Sequence, residues 1–322
     1  MATALRTTDF SHASTLDELH VMLKARTMAP GWAKREPSLY PEPKKNFRPH
    51  QWKWADGRAA LDGAGRLIST DLAERRNLIL YNPVGDNEYA TLRTLICAYQ
   101  MILPGEEARS HRHTPNALRL ILENEGATTV VQGQRIKMYE NDVLLTPNWH
   151  YHGHDSKADG PVYWLDGLDV PLVHLLEPMF LEHHPQGFER DAVETRSSPM
   201  IFTWKTTQQR LDRAAPDPEG VYGRRIQLGD PAMKTIALYM ERFPTGTHTR
   251  RFRTTVNRVF AAVEGEGTTI IDGERFSWSR GDVIAAPAWR PVEHVVTRDA
   301  TLFEICDEPV HKALGFLRSR AD

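Results

Sequence analysis

The sequence predicts an all-β protein with two copies of one small β-barrel and a short helical N-terminal arm. Three observations predict this class: strand-like segments between compact turns, one such segment that occurs twice, and a length of 322 residues, enough for about two domains.

A formal net charge of −2 argues against nucleic-acid binding. Only two cysteines, Cys97 and Cys306, exclude a disulfide framework and favour the cytoplasm. No apolar stretch approaches the roughly 20 residues of a membrane span, so no membrane association is expected.

The first predicted element is the N-terminal arm, residues 1–74. Leucines three and then four residues apart within residues 14–27, after a Ser-Thr pair that can cap them, predict a short helix. Prolines and tryptophans alternate with charged residues over residues 29–56, which predicts an ordered extended segment. Residues 58–63 and 69–77 are predicted to form short helical or turn pieces before the first barrel.

Strands follow, and one stretch of them is repeated. Residues 128–131 and 134–138 flank Gln132-Gly133, a hairpin signal, and another strand is predicted over residues 143–146. The segment TTVVQGQRIKMYENDVLLTPNW (128–149) recurs as TTIIDGERFSWSRGDVIAAPAW, 140 positions later and without a gap. An ungapped recurrence of this length indicates a duplicated structural unit.

The duplication predicts the domain organisation. The arm, residues 1–74, is followed by a first barrel over residues 75–183. A polar, proline-containing connector over residues 184–225 leads to a second barrel over residues 226–322.

Histidines in the first copy indicate a metal site. His111 and His113 are two positions apart and therefore project to the same face of a strand. A third imidazole, His152, follows 39 residues later, after hairpins that return the chain to its starting strand. By ligand type, three imidazoles with open coordination positions suit Fe, Zn, Cu or Ni.

The second copy predicts a barrel without metal. At the offset of 140 positions, His111 and His113 correspond to Arg251 and Arg253, and His152 corresponds to Val292. Arginine has no lone pair for a metal ion, so we expect this copy to serve packing, assembly or closure of the first barrel.

The duplication and motifs together resemble the bicupin ring-cleaving dioxygenases, a family that includes gentisate, salicylate and 1-hydroxy-2-naphthoate dioxygenases. The stretches that carry this resemblance are LISTDLAERRNLILYNP (67–83), MILPGEEARSHRHTPNALRLI (101–121), TPNWHYHGH (146–154), WLDGLDVP (164–171) and DEPVHKALGF (307–316). The resemblance implies two cupin barrels, each a jelly-roll-like double-stranded β-helix. It also implies one Fe(2+) per chain on His111, His113 and His152, with O2 as co-substrate.

The reaction implied by the resemblance opens an aromatic ring. The implied substrate is a small aromatic hydroxy acid, a 2-hydroxybenzoate such as gentisate, salicylate or a 5-substituted salicylate like 5-nitrosalicylate, cleaved between C1 and C2. Relatives of this kind form homotetramers, so the resemblance also implies a homo-oligomer.

Residues matching the family's pocket are implied to bind substrate. They are Arg119 and Arg75 for the carboxylate, Gln100 as a pocket amide, and Asp166 near a second ring substituent. His154 shares a strand face with His152 and is implied to donate a hydrogen bond to the substrate or to an oxygen intermediate.

Two other functional classes remain open from the residues. One is a metal-dependent cupin that catalyses a non-oxidative reaction, as an isomerase or lyase, with the metal as a Lewis acid. The other is a cupin that binds a small aromatic acid without turnover.

Overall fold

The computed structural model describes four stretches of the chain: residues 10–33, 36–69, 75–229 and 233–321. Residues 1–44 form one compact unit and residues 45–322 another. In the first unit, the predicted helix is confirmed as α1 (Leu16–Lys24). Thr15 and Glu18 form a capping box at its start, which satisfies two backbone amides that the helix itself leaves unpaired.

The second unit consists mainly of β-strands, as the sequence predicts. In chain order, the strands are β1 (His50–Trp52), β2 (Arg76–Ile79), β3 (Ile96–Ile102), β4 (Glu107–His113), β5 (Ala117–Glu123), β6 (Ala127–Val131), β7 (Gln134–Lys137), β8 (Val143–Thr146), β9 (His152–Ser156), β10 (Val162–Leu168), β11 (Leu181–His183), β12 (Val193–Glu194), β13 (Ile201–Phe202), β14 (Arg224–Gln227), β15 (Ala237–Phe243), β16 (Phe252–Thr254), β17 (Arg258–Ile271), β18 (Glu274–Ser279), β19 (Val283–Ala286), β20 (Val292–Cys306) and β21 (Ser319–Ala321). The helices of this unit are α2 (Trp54–Leu67), α3 (Val170–Leu176), α4 (Trp204–Arg213) and α5 (Glu308–Ala313). None of the helices in the described stretches has the length and apolar character needed to cross a bilayer.

Strands of the first repeat, which we define as residues 94–169, lie in two six-stranded sheets. One sheet has the order β13-β8-β5-β10-β3-β2 and the other the order β11-β4-β9-β6-β7-β12. Buried side chains from both sheets meet in one core, including Ile121 and Trp164 from the first sheet and Ile136 from the second. The strands that carry the predicted site residues therefore line one enclosed interior.

The second repeat, defined as residues 235–307, lies in a nine-stranded sheet. The long antiparallel strands β17 and β20 form its centre. A larger core joins the repeats, because Leu118 and Leu165 of the first pack in one cluster with Val259 and Ile305 of the second. The contact is close: a Cβ atom on Gly167 would lie 2.8 Å from the Ile305 side chain.

The predicted hairpin at Gln132-Gly133 is confirmed. Strands β6 and β7 pair antiparallel with Val131 opposite Gln134. Both turn residues have positive φ angles, 47° for Gln132 and 76° for Gly133, as a two-residue type I′ turn requires.

Two helices differ from the predictions. Helix α2 begins at Trp54, inside the segment predicted as extended, and runs unbroken through residues 58–63. Helix α4 lies in the predicted connector, where no helix was expected. Both begin where a distant aspartate accepts the first backbone amide: Asp282 from Trp54 at 2.9 Å, and Asp142 from Trp204 at 2.8 Å. Part of the predicted piece over residues 69–77, namely residues 70–74, lies outside the described residues.

Candidate metal centre and substrate pocket

Two paired strands bring three histidines together. His111 and His113 lie on β4, and His152 begins β9; these strands pair antiparallel with His111 opposite His152. One nitrogen from each imidazole lies within 4.8 Å of the others. His111 and His152 are buried, and His113 is partly buried. The side chains are therefore close enough together to hold one metal ion.

Backbone carbonyl groups fix the tautomer of each imidazole. The Nδ1 atoms of His111, His113 and His152 lie 3.2, 2.8 and 3.0 Å from the carbonyl oxygens of Arg109, Pro115 and His150, respectively. A carbonyl oxygen only accepts hydrogen bonds, so each Nδ1 carries the proton and each Nε2 keeps its lone pair. Nε2 is then the atom that each ring offers to a metal.

The environment keeps these imidazoles neutral. Burial lowers the pKa of His111 to about 3 and the pKa of His113 to about 4, and the nearby cations Arg75 and Arg119 add to both shifts. Burial also places the pKa of His152 well below its ordinary value. Neutral imidazole is the form that binds a metal ion.

A charged and polar cluster lies beside the triad. Arg119 on β5 is directly opposite Asp166 on β10, with the Arg119 Nε atom 3.5 Å from the Asp166 Oδ1 atom. Arg119 Nη1 donates to Thr146 Oγ1 at 2.7 Å, and the Gln100 amide donates to Asp166. Burial raises the pKa of Asp166, and the positive charge of Arg119 opposes that shift.

Several buried polar atoms in this cluster lack a hydrogen-bond partner within the described stretches. His154 is fully buried and neither ring nitrogen is paired; its ring lies 6.4 Å from that of His152 and 5.6 Å from that of Trp164. The unpaired atoms that lie near it are Arg119 Nε, Gln100 Oε1, Asp166 Oδ1 and Trp164 Nε1. Buried polar groups are normally satisfied, so unpaired donors and acceptors beside a metal-ligand set fit a polar ligand.

Comparisons with known proteins agree with this arrangement. The Cupin domain family matches residues 98–169. The chain is 32% identical to gentisate 1,2-dioxygenase 1 of Aquipseudomonas alcaligenes over 94% of this chain and 95% of that protein. It is 33% identical to 5-aminosalicylate 1,2-dioxygenase of Comamonas sp over 97% of this chain and 91% of that protein. The crystal structure of a salicylate 1,2-dioxygenase from Pseudaminobacter salicylatoxidans superposes with a TM-score of 0.86 at 27% identity, covering 96% and 97% of the two chains.

The chain belongs to the gentisate and salicylate 1,2-dioxygenase family. It is thus a ring-cleaving 1,2-dioxygenase with the cupin fold, and the resemblance found in its sequence is confirmed. The family implies a metal ion, and the His111, His113 and His152 triad can hold one.

Arg75 is the remaining predicted site residue of this dioxygenase, and His150 is a neighbour of the triad that was not predicted. Arg75 is half-buried, and its positive charge contributes to the low pKa values of His111 and His113. His150 contributes its carbonyl group, which accepts from His152, while its own ring lies against the Asn148 carbonyl.

The predicted match between the repeats needs one correction. In the dioxygenase, Phe252 lies opposite Val292 on the paired strand, just as His111 lies opposite His152. The counterpart of His111 is therefore Phe252, 141 positions later. The prediction that Arg251 is this counterpart is wrong. Likewise the Trp289 amide donates to the Thr254 carbonyl as the Trp149 amide donates to that of His113. The first repeat has one more residue just before β6, so segments before that point are offset by 141 positions.

Sequence reasoning missed a buried charge cluster in the second repeat of the dioxygenase. Glu241 and Glu304 occupy the positions of Gln100 and Asp166. Arg225 lies 2.8 Å from the Glu304 carboxylate and 3.3 Å from that of Glu241. Burial and the charge of Glu304 raise the pKa of Glu241 to about 8, which favours the protonated form of Glu241. The offset of 141 positions leads from Gln100 to Glu241, but Asp166 and Glu304 are 138 positions apart, so neither offset seen in the sequence pointed to Glu304.

Proposed function

We propose that this dioxygenase opens the ring of a 2-hydroxybenzoate between C1 and C2, with one Fe(2+) per chain and O2 as co-substrate. The observation that carries the proposal is the convergence of three Nε2 lone pairs beside a buried cluster of unpaired polar atoms. Three neutral ligands leave the charge of a divalent ion uncompensated, which favours an anionic substrate. When bound, the iron would supply the redox chemistry for reaction with O2.

The chain's own residues bind and orient the substrate in this proposal. The guanidinium group of Arg119 has donors beyond the one that Thr146 uses, and it binds the substrate carboxylate. Arg75 adds a second positive charge, which also acts on His111 and His113. Gln100 Oε1 has no hydrogen-bond partner in the described stretches, and Asp166 Oδ1 lies 3.5 Å from Arg119 Nε; both oxygen atoms can accept from a ring hydroxyl group.

His154 is the residue proposed to handle a proton. Its two unpaired nitrogens and low pKa make it a neutral imidazole that can donate from one nitrogen and accept at the other. The enclosed interior excludes water from the site, which strengthens these interactions.

The organisation of the chain is part of the proposal. Residues 75–183 form a cupin barrel that carries the site, and residues 226–322 form a second cupin barrel without metal. Phe252, Thr254 and Val292 support this, because they stand where the first repeat has its triad. Residues 1–74 form an arm and residues 184–225 a connector. We further propose a homotetramer in the cytoplasm; the thiols of Cys97 and Cys306, both free and buried, suit a reducing compartment.

Oxygen uptake with a panel of aromatic acids tests the proposal. The iron-loaded chain is assayed with gentisate, salicylate, 5-aminosalicylate, 5-nitrosalicylate and 1-hydroxy-2-naphthoate, with His152→Ala as the control. We expect one O2 consumed per ring opened for at least one acid, and neither activity nor bound iron in the control. Substrate conversion under strict anoxia would instead identify an isomerase or lyase, and tight binding without conversion would identify a binding protein.

A further inference from the structure

Two hydrogen-bonded clusters of the same residue types lie where the repeats meet. Each contains an asparagine and an aspartate from one repeat and a threonine from the other. The first cluster is Asn116, Asp169 and Thr235, and the second is Asn257, Asp307 and Thr94. The two clusters are reciprocal, since each repeat contributes a threonine to the cluster of the other repeat.

The first cluster is closed by hydrogen bonds among all three residues. The backbone amide of Asn116 donates to Asp169 Oδ1 at 2.8 Å, and its side-chain amide donates to Asp169 Oδ2 at 3.2 Å and to Thr235 Oγ1 at 2.8 Å. The Thr235 hydroxyl in turn donates to Asp169. Asp169 is 1% exposed, so its carboxylate depends on these donors.

The second cluster repeats the pattern. The backbone amide of Asn257 donates to Asp307 Oδ1 at 2.8 Å, and its side-chain amide donates to Asp307 Oδ2 at 2.9 Å and to Thr94 Oγ1 at 3.3 Å. The Thr94 hydroxyl donates to Asp307 at 2.5 Å. Asp307 is also 1% exposed.

The first cluster differs from the second in the chain segments that it contacts. Asn116 Oδ1 accepts from the Asn148 backbone amide at 2.9 Å, in the loop that leads to His152. Asn116 also follows Pro115, the residue whose carbonyl orients His113. The first cluster therefore connects both chain segments that carry the triad.

The second cluster holds a loop without metal ligands. Asn257 Oδ1 accepts from the Ala288 backbone amide at 3.2 Å. The chain segments on either side of this bond carry Phe252, Thr254 and Val292, at the positions of the triad.

We propose that Thr235, from the second repeat, is a positioning residue for the metal triad of the first. Its hydroxyl fixes Asp169 and Asn116, and Asn116 fixes the spacing between the segments of His113 and His152. This inference rests on the proposed function, because it assumes that the triad binds a metal ion. It gives the second repeat a direct part in the site.

The second cluster provides a matched control for a test of Thr235. Thr235→Val and Thr94→Val remove the same hydroxyl group from reciprocal clusters, and Thr235→Ser retains it. Each full-length chain is stripped of metal and titrated with Co2+ against a competing chelator, and its thermal unfolding is recorded. Loss of an outer-shell partner typically costs about 10- to 100-fold in metal affinity.

We expect T235V to bind Co2+ about 10-fold more weakly than the wild type, at the lower end of that range, because Thr235 acts on the ligands through Asn116. T94V and T235S should bind Co2+ as the wild type does. T235V and T94V should lower the unfolding temperature to a similar extent. Equal loss of affinity in T235V and T94V, or unchanged affinity in T235V, would overturn the inference and leave the proposed function intact. A wild-type chain that binds no Co2+ would overturn both.

Discussion

Three backbone carbonyl groups determine which nitrogen atom of each triad imidazole is available to a metal ion. The two-residue spacing of His111 and His113 predicted their shared strand face, because that spacing is a local property. His152 was assigned from the hairpins that separate it from His113 and from the resemblance to the bicupin dioxygenases. The tautomers were not predictable in this way. Each depends on the direction of a carbonyl group two residues away, which the spacing of the histidines does not determine.

Arg119 is the residue whose substitution best separates binding from metal retention. In Arg119→Ala, we expect the KM for the aromatic acid to rise about 10- to 100-fold, because a hydrogen bond to a charged group is worth about 1.5–3 kcal/mol. Metal content should not change, since Arg119 is no ligand. Steady-state kinetics and metal analysis of the same preparation measure both.

The charge of Asp166 makes a second variant necessary. Arg119→Ala leaves this buried carboxylate without its cation, which destabilises the fold. Arg119→Ala/Asp166→Asn should recover stability in urea unfolding and keep the high KM. A normal KM in either variant would remove Arg119 from substrate binding and leave it the role of counter-ion to Asp166.

At the scale of elements, local signals predicted some helices and strands and failed for others. Helix α1 was predictable because its leucine spacing and its cap lie within residues 14–27. Helix α2 was not, because the group that accepts its first amide, Asp282, is distant in sequence and Lys53 before it provides no side-chain cap. Helix α4 does have a local cap, since the Thr203 side chain accepts from the Thr206 amide, but this signal was not recognised in the sequence. A helix such as α2, which begins on a tertiary contact alone, has no local start signal.

The register of the repeat shows the same limit. Identical spacing over residues 128–149 and 268–289 gave an offset of 140 positions, which holds for strands β6 to β9. The strands before β6 follow an offset of 141, which the Glu125-Gly126 and Glu266-Gly267 steps indicate in the sequence. The pairing of strands extends that offset to the position of His111, where the sequence comparison had used 140. A shift of one residue exchanges the two faces of a strand, so it determines whether Arg251 or Phe252 replaces His111.

At the scale of the whole molecule, the stability of the fold should depend on Glu241. Its pKa is raised to about 8 from an ordinary value of 4.5, so between these values the folded chain binds a proton that the unfolded chain has released. The free energy of unfolding then falls as pH rises through this window.

Glu241→Gln tests this dependence. Glutamine fits, because Gln100 occupies the equivalent position of the first repeat, and it does not titrate. From urea unfolding of both proteins between pH 5 and pH 8.5, we expect E241Q to gain stability relative to the wild type as pH rises. Parallel stability curves across that range would show that Glu241 does not hold the proton.

The reciprocal asparagine, aspartate and threonine clusters were also beyond sequence reasoning. Asp169 and Asp307 lie in motifs that the sequence singled out, and their partners Thr235 and Thr94 come from the opposite repeat. Only the packing of the two repeats against each other brings these residues together.

The position of iron in the folded chain tests the central claim most directly. Crystals of the iron-loaded protein, measured at the iron absorption edge, are predicted to show one anomalous peak per chain, bonded to the Nε2 atoms of His111, His113 and His152. A peak elsewhere in the chain, or no peak between these rings after iron is supplied, would contradict the account.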